Sequence, residues 1–377
     1  MPQLPIIYLD NNATTLLDER VLDVMLPYFT DFYANASSSH LAGLEIQEAV
    51  ENAAWQTAQL IGAKEEEIIF TSGATESINL ALKGLANQNK KHIVTVATEH
   101  KAVLETCRYM ESIGFEVTYL PVASDGILDI NLLNEVITTK TLIVIIMITN
   151  NETGVIQDIA EISKIIHAKN SLFLCDATQA IGKISIDVKK LGIDLLALSA
   201  HKFYGPKGVG ALYISAKAKI KLTPLINGGN QQRKLRSGTL NVPGIIGLGR
   251  ASEIAVLEID NDNNRIKLLR DQLENDLLKI EGSFVNGNKQ NRICNTTNIC
   301  FPGVNSEKLI LALQNISVSN GSSCSSVTSQ PSHVLKALGL SDQDALSSIR
   351  FSLGRFTTEE EIEETIERVT ALIAQLR

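Results

Sequence analysis

The chain has no basic block, no long apolar run and no repeated short cysteine spacing, and each absence removes a class of function. Its 377 residues carry a formal net charge of -8, and Lys and Arg are nowhere gathered. That argues against a nucleic-acid partner, because phosphate contacts need clustered positive charge. The most apolar stretch, 142–148, falls far short of the roughly 20 residues that span a bilayer. The opening Met1-Pro-Gln-Leu-Pro5 has neither the basic nor the apolar region of a secretory signal. The expectation is a soluble, cytoplasmic protein with no membrane and no nucleic acid. The five cysteines, Cys107, Cys175, Cys294, Cys300 and Cys324, are odd in number. Neither a disulfide framework nor a metal site is expected of them. No G-x-x-x-x-G-K-[ST] occurs, and no G-x-G-x-x-G opens a helix after the first strand, which weakens any nucleotide reading.

What is present is alternation. Apolar runs at 67–70, 92–97, 115–120, 142–148, 172–175, 195–199 and 209–214 read as strands. Helical spacing separates most of them, at 74–85, 101–113, 130–137 and 158–169, and precedes them at 43–60 and 18–29. Such a pattern predicts an α/β fold, a mostly parallel seven-stranded sheet covered by helices on both faces. The length exceeds what one core usually fills. Beyond a loop-rich stretch at 224–241, a long helix at 246–280 is expected. Short strands near 283–285 and 297–301 follow, with helices near 306–314, 331–338 and 358–376. These predict a large domain at 16–254 and a smaller α+β domain made of 1–15 and 255–377.

Parallel sheets bind ligands beyond the carboxyl ends of their strands, and five strand ends here carry polar groups. Ser199, His201 and Lys202 follow one strand. A lysine partly desolvated at such a place can serve as an amine nucleophile or base. Lys207, inside the Gly-Pro-Lys-Gly turn, is the local competitor. Phe70-Thr-Ser-Gly-Ala-Thr-Glu76 reads as strand, turn and helix start, an anion cup in which Thr75 could instead be a plain helix cap. His100 ends a third strand, Asn151 follows a fourth, and Asp176 with Gln179 follows a fifth. A carboxylate behind a buried strand needs a cation. An anion cup, a flat ring, an amide, a carboxylate and a lysine are together the parts of a pyridoxal phosphate site.

With those residues in view, the chain resembles the cysteine desulfurases of the NifS/IscS type, within the class-V aminotransferase-like, fold-type I pyridoxal phosphate enzymes. The resemblance rests on Tyr8-Leu-Asp-Asn-Asn-Ala-Thr-Thr15, Phe70-Thr-Ser-Gly-Ala-Thr-Glu-Ser77, Thr98-Glu-His-Lys-Ala-Val-Leu104, Asn150-Asn-Glu-Thr-Gly154, Asp176-Ala-Thr-Gln179 and Ser199-Ala-His-Lys202. Further along it rests on Leu235-Arg-Ser-Gly-Thr-Leu-Asn241, Asn320-Gly-Ser-Ser-Cys-Ser325 and Ser348-Ile-Arg-Phe351. It implies that Lys202 is the Schiff-base amine and moves the Cα proton. It also implies that Asp176 pairs with the pyridine nitrogen, His100 stacks on the ring and Gln179 bonds the phenolic oxygen. Ala74, Thr75, Ser199 and His201 would hold the phosphate. Asn151 would lie near cofactor and substrate, with Arg350 and Asn11 on the substrate side. Thr239 resembles the residue that reaches the phosphate bound in the partner subunit of a homodimer.

Cys324 separates desulfurases from other members of the fold. The resemblance makes it the nucleophile that takes sulfur from L-cysteine as a persulfide. A Gly- and Ser-rich setting, about 319–331, is expected to be a mobile loop that carries this sulfur to an acceptor. An iron–sulfur scaffold or a thiolation factor would be such an acceptor, for cluster assembly or tRNA thiolation. Selenocysteine lyase, another class-V reaction, or a catalytically silent sulfur-transfer partner are the alternatives. Three departures stand out. Asn35-Ala36 replaces a common Asn-Pro, and Gly229-Asn230-Gln-Gln-Arg233 alters a Gly-Gly-Gln-Glu-Arg pattern. The chain also stops at Arg377, without an expected docking extension.

Overall fold

The computed structural model describes residues 5–321 and 330–377. Its strands, in chain order, are β1 (Ile7–Tyr8), β2 (Ile68–Thr71), β3 (His92–Val96), β4 (Glu116–Leu120), β5 (Thr141–Met147) and β6 (Leu172–Asp176). They continue with β7 (Leu195–Ser199), β8 (Gly210–Ile214), β9 (Phe284–Val285), β10 (Thr296–Cys300), β11 (Ile316–Ser317) and β12 (Ser348–Ser352). Seven of them form one sheet in the order β2-β8-β7-β6-β5-β3-β4. Only β8 runs against its neighbours; the other pairings are parallel. The expected α/β sheet is therefore present, with one antiparallel strand inserted near its edge.

The strands are apolar along their whole length because both faces are covered. In β5, Val144 and Ile146 point into one apolar cluster while Ile143 and Ile145 point into another. In β7 the same split separates Leu196 and Leu198 from Leu195 and Ala197. That is the period-two alternation of a pleated strand with a core on each side. A third cluster gathers Ile7 and Leu9 with residues from Ile266 to Ile373, under the three-stranded sheet β12-β10-β9. The helix Val242–Leu277 joins the cores: Ile245, Leu248 and Ala251 pack into the first, Leu269, Leu273 and Leu277 into the third.

Several boundaries differ from expectation for physical reasons. The helix expected over 18–29 is two, Glu19–Met25 and Pro27–Thr30, divided at Leu26. Proline lacks the amide that would continue the first helix but suits the first turn of the second. By the same tolerance the long helix starts at Val242, with Pro243 in its first turn, rather than at 246. Strands β11 and β12 and the helix Asp342–Leu346 had no counterpart in the sequence reading.

Because β2, β3, β5, β6 and β7 point the same way, their carboxyl ends share one edge of the sheet. The N-terminal stretch crosses to that edge from the smaller sheet. Leu9 and Asn11 bond the backbone of Ser317 and Ser352, and Thr15 N then donates to His201 O at 2.9 Å.

Candidate active site

A cavity of about 260 Å³ lies at this edge. Its walls include Thr75, His100, Asn151, Asp176, Gln179, Ser199, His201 and Lys202. Ala74 lines it too, as do Thr149 and Thr178, which the sequence reading did not single out. Eight of the strand-end residues named from the sequence are thus brought together, and with Ala74 every residue expected to hold the cofactor lines the cavity except Thr239. That residue is exposed on the loop before Asn241 and lines no wall of this cavity.

The phosphate end is built from backbone. Helix Ala74–Gly84 starts on Gly73, with no side-chain cap, so Thr75 is not the helix cap. Its amide and that of Glu76 sit in the first turn, where no intrahelical acceptor exists. Ser199 Oγ accepts from Ala74 N at 2.7 Å, which ties the end of β7 to that turn. Gly73 has φ of +151°, and a Cβ there would meet Ser199 Oγ at 3.2 Å. Glycine is thus what lets strand and helix approach. An adjoining open cavity is lined by Thr14, Ser72, Thr75 and Lys207, which places the turn lysine at the outer side of this cup.

The ring end is built from side chains. Asp176 is buried, accepts from Thr178 N at 2.9 Å and, among the described residues, has no ion pair. A buried carboxylate that faces a cavity without a salt-bridge partner suits a cationic ring nitrogen. Gln179 Nε2 donates to Asn12 O at 2.9 Å, while its Oε1 is buried with no partner. Thr178 Oγ1 is orphaned likewise. His100 caps helix Lys101–Ser112 by accepting from Ala102 N at Nδ1 (3.1 Å). Burial lowers its pKa, Asp176 opposes that, and Lys202 and His333 reinforce it. The ring is accordingly neutral and flat-faced at neutral pH, with its proton on Nε2.

Lys202 Nζ donates to Asn12 O (2.7 Å) and Ala13 O (2.8 Å). Burial, then the Arg350 guanidinium, lower its pKa to about 8, against the pull of Asp176 and Asp10. His201 is pushed down to about 4 by burial and then by Lys202, Lys207 and Lys183, and its Nδ1 lies 3.2 Å from Thr14 Oγ1. The lysine is the nucleophilic form only when neutral, so a pH dependence follows. Covalent loading of cofactor-free protein with the aldehyde is expected to rise about tenfold per pH unit below 8 and to level above it. Stopped-flow absorbance of the cofactor band measures this; a flat profile from pH 6 to 9 would contradict it.

Of the three expected substrate residues, Asn151 lines this cavity while Arg350 and Asn11 stand apart from it. Arg350 on β12 donates to Asp10 Oδ1 at 2.5 Å and Asn151 O at 2.9 Å, and its Nε is buried without a partner. Asn11 bonds Tyr8 O and Ser352 O and lines a neighbouring cavity. Cys324, expected as the nucleophile, lies outside the described residues. The residue missed is Asn12. Its carbonyl receives both Lys202 and Gln179, and its side chain bonds Asn151 O. A backbone acceptor leaves no residue-type signature; the Asp10-Asn11-Asn12 turn was the only available hint.

An amine, a free carboxylate and a helix-start anion cup at one parallel-sheet edge define a pyridoxal phosphate enzyme of fold-type I, and the orphaned polar atoms fit that group. The chain belongs to the class-V aminotransferase family, whose model matches residues 7–365. Pyridoxal phosphate is the cofactor of that family. Similar curated proteins include "Cysteine desulfurase IscS" of Rickettsia prowazekii, 49% identical over 98% of this chain and 92% of its own length. The protein of that name from Pasteurella multocida is 51% identical over 100% and 94%. Among solved structures, a "NIFS-like protein" superposes with a TM-score of 0.93 at 39% identity, covering 98% of this chain and 100% of its own. "SspA in complex with cysteine" does so with 0.83 at 36%, covering 93% and 100%.

Proposed function

We propose that the protein is a pyridoxal phosphate-dependent L-cysteine desulfurase, which yields L-alanine and carries the sulfur as a persulfide on Cys324 to an acceptor. One observation carries this reading. Lys202, Asp176, Gln179 and His100 converge on one cavity in a chain 49–51% identical, over nearly its full length, to proteins named cysteine desulfurase.

Bound pyridoxal phosphate supplies an electron sink for the charge left when Cα loses its proton. Lys202 would hold the cofactor through Nζ, and its amine would take the Cα proton. Asp176 would keep the ring nitrogen protonated, His100 would stack on the ring and pass protons, and Gln179 would bond the phenolic oxygen. The phosphate rests on Ala74, Thr75, Ser199 and His201. Asn151 and Asn11 stand on the substrate side. Arg350 holds the substrate carboxylate in place of Asp10, and its unpartnered Nε supports that exchange. The Cys324 thiolate then attacks the substrate sulfur. A sulfur–sulfur bond forms, the Cβ–sulfur bond breaks with its electron pair left on Cβ, Cβ takes a proton to become the methyl of alanine, and Cα regains the proton that Lys202 removed.

The same reading places the protein in the cytoplasm as a homodimer in which Thr239 reaches the partner subunit's cofactor phosphate. It assigns 16–254 to the cofactor domain, with 1–15 and 255–377 carrying the cysteine loop. The acceptor is an iron–sulfur scaffold or a thiolation factor. The test is to mix holoenzyme with L-cysteine without reductant and weigh its peptides. One added sulfur on Cys324, with one alanine released per sulfur, is expected. Alanine without sulfur on Cys324, or pyruvate in its place, would overturn the reading.

A further inference from the structure

Glu152 is unused by this mechanism, yet it is buried at 3% exposure beside the cavity residue Asn151. Its backbone is held on both sides: Glu152 N donates to Asn150 Oδ1 at 2.9 Å, and Asn298 Nδ2 donates to Glu152 O at 3.2 Å. One oxygen of its carboxyl meets residues from both sides of the cysteine stretch. Ser332 Oγ donates to Glu152 Oε2 at 2.5 Å. The same hydroxyl accepts from Val334 N and Leu335 N. Gly321 packs so closely that a Cβ there would lie 2.3 Å from Oε2, and its φ is +73°. Glycine is required twice over, for backbone and for space.

These contacts continue into the site. Ser319, two residues before Gly321, pairs with Arg350 through backbone bonds of 3.2 and 2.6 Å. Arg350 Nη1 donates to Asn151 O. On the other side, His333 Nε2 bonds the backbone oxygen of Glu99 at 3.0 Å, next to His100. Both neighbours of the 322–331 stretch are thereby fastened to the ends of β3 and β5, where the cavity walls begin.

We infer that Glu152 is a positioning residue for sulfur transfer: by holding Gly321 and Ser332 against one carboxyl oxygen, it fixes where the cysteine stretch leaves and rejoins the cavity wall. The inference rests on the desulfurase reading. Cys324 follows Gly321 by only three residues in the sequence, so whatever anchors that glycine bears directly on the thiol's reach. Without the anchor, the thiol's productive encounters with the substrate sulfur become rarer, while the cofactor and Lys202 are untouched. Burial raises the Glu152 carboxyl to about 7 against the Ser332 bond and the charges of Arg350 and Lys101. A neutral amide is consequently a fair replacement there.

The experiment compares holoenzymes of the unsubstituted chain, Glu152→Ala, Glu152→Gln and Gly321→Ala. Two rates are read: persulfide appearance on Cys324 by quenched-flow mass spectrometry, and exchange of the Cα proton of L-alanine in D2O, which needs Lys202 but no thiol. Glu152→Ala and Gly321→Ala are expected to slow persulfide formation at least tenfold and to change exchange less than twofold. Glu152→Gln is expected to stay within threefold on both. Equal persulfide rates in all four would overturn the inference, as would a parallel fall of both rates in the alanine variants. If Glu152→Ala does not fold, Gly321→Ala decides alone. No persulfide in the unsubstituted chain would instead overturn the desulfurase reading, and this inference with it.

Discussion

Lys202→Ala is expected to lower sulfide release from L-cysteine by at least about 10³-fold and to abolish cofactor attachment that borohydride can fix. On the proposed reading two roles are lost together, the covalent anchor and the base for the Cα proton, and proton transfer alone is worth about 10² to 10⁴. The structure offers no second amine for the task. Lys183 is buried, and burial brings it to about 8 as well. However, its Nζ donates to Gln179 O (3.2 Å) and Lys202 O (3.0 Å), and it does not line the cavity. Lys207 lines only the outer cavity beside the phosphate cup. Added methylamine should restore part of the proton transfer but not the anchor. The check is borohydride reduction followed by peptide mass analysis. Cofactor fixed to Lys183 or Lys207 in the unsubstituted protein would sink the assignment.

The cofactor site was legible because a parallel sheet writes its function at strand ends. β5 and β7 are buried on both faces, so their apolar runs end where the chain reaches the cavity, at Ser199 for β7 and at Thr149, just past Met147, for β5. Lys202, Asp176 and His100 therefore stand out against the strands that deliver them. The smaller unit gave weaker signals. β12 is Ser-Ile-Arg-Phe-Ser, and its polar residues are buried: Arg350 and Ser352 meet Asp10 and the N-terminal stretch, and Ser348 bonds Asn286 and Asp344. Neither the pairing of Arg350 with Asp10, 340 residues apart, nor the Asn12 carbonyl can be read from local pattern. Both are products of a chain that begins in one sheet and finishes its turn in another. Arg350 was found only through resemblance, and on the proposed reading its salt bridge to Asp10 is a competitor that the substrate carboxylate would displace.

Cys324→Ala is expected to eliminate persulfide and sulfide formation, to below about one part in 10³, while leaving cofactor binding and Cα-proton exchange intact. The magnitude comes from the other four thiols. Burial raises Cys294 and Cys300 to about 11, Cys107 to about 12, and Cys175 well above its ordinary value. At pH 8 a thiol with a pKa of 11 is thiolate about once in 10³ molecules, and only the thiolate attacks sulfur. Access lowers this further: Cys107, Cys175 and Cys300 have no exposed surface, and Cys294 Sγ is engaged with Asn263 Oδ1 at 3.1 Å. Cys175 is the informative competitor, since it adjoins Asp176 at the end of β6 and is the nearest cysteine in sequence to a cavity residue. Its side chain enters the core cluster on one face of the sheet, so it can neither ionise nor travel. Iodoacetamide labelling at pH 8 should accordingly modify Cys324 in the native holoenzyme and spare Cys107, Cys175 and Cys300. A Cys324→Ala protein that still forms a persulfide on any of these would show that the chemistry does not depend on Cys324.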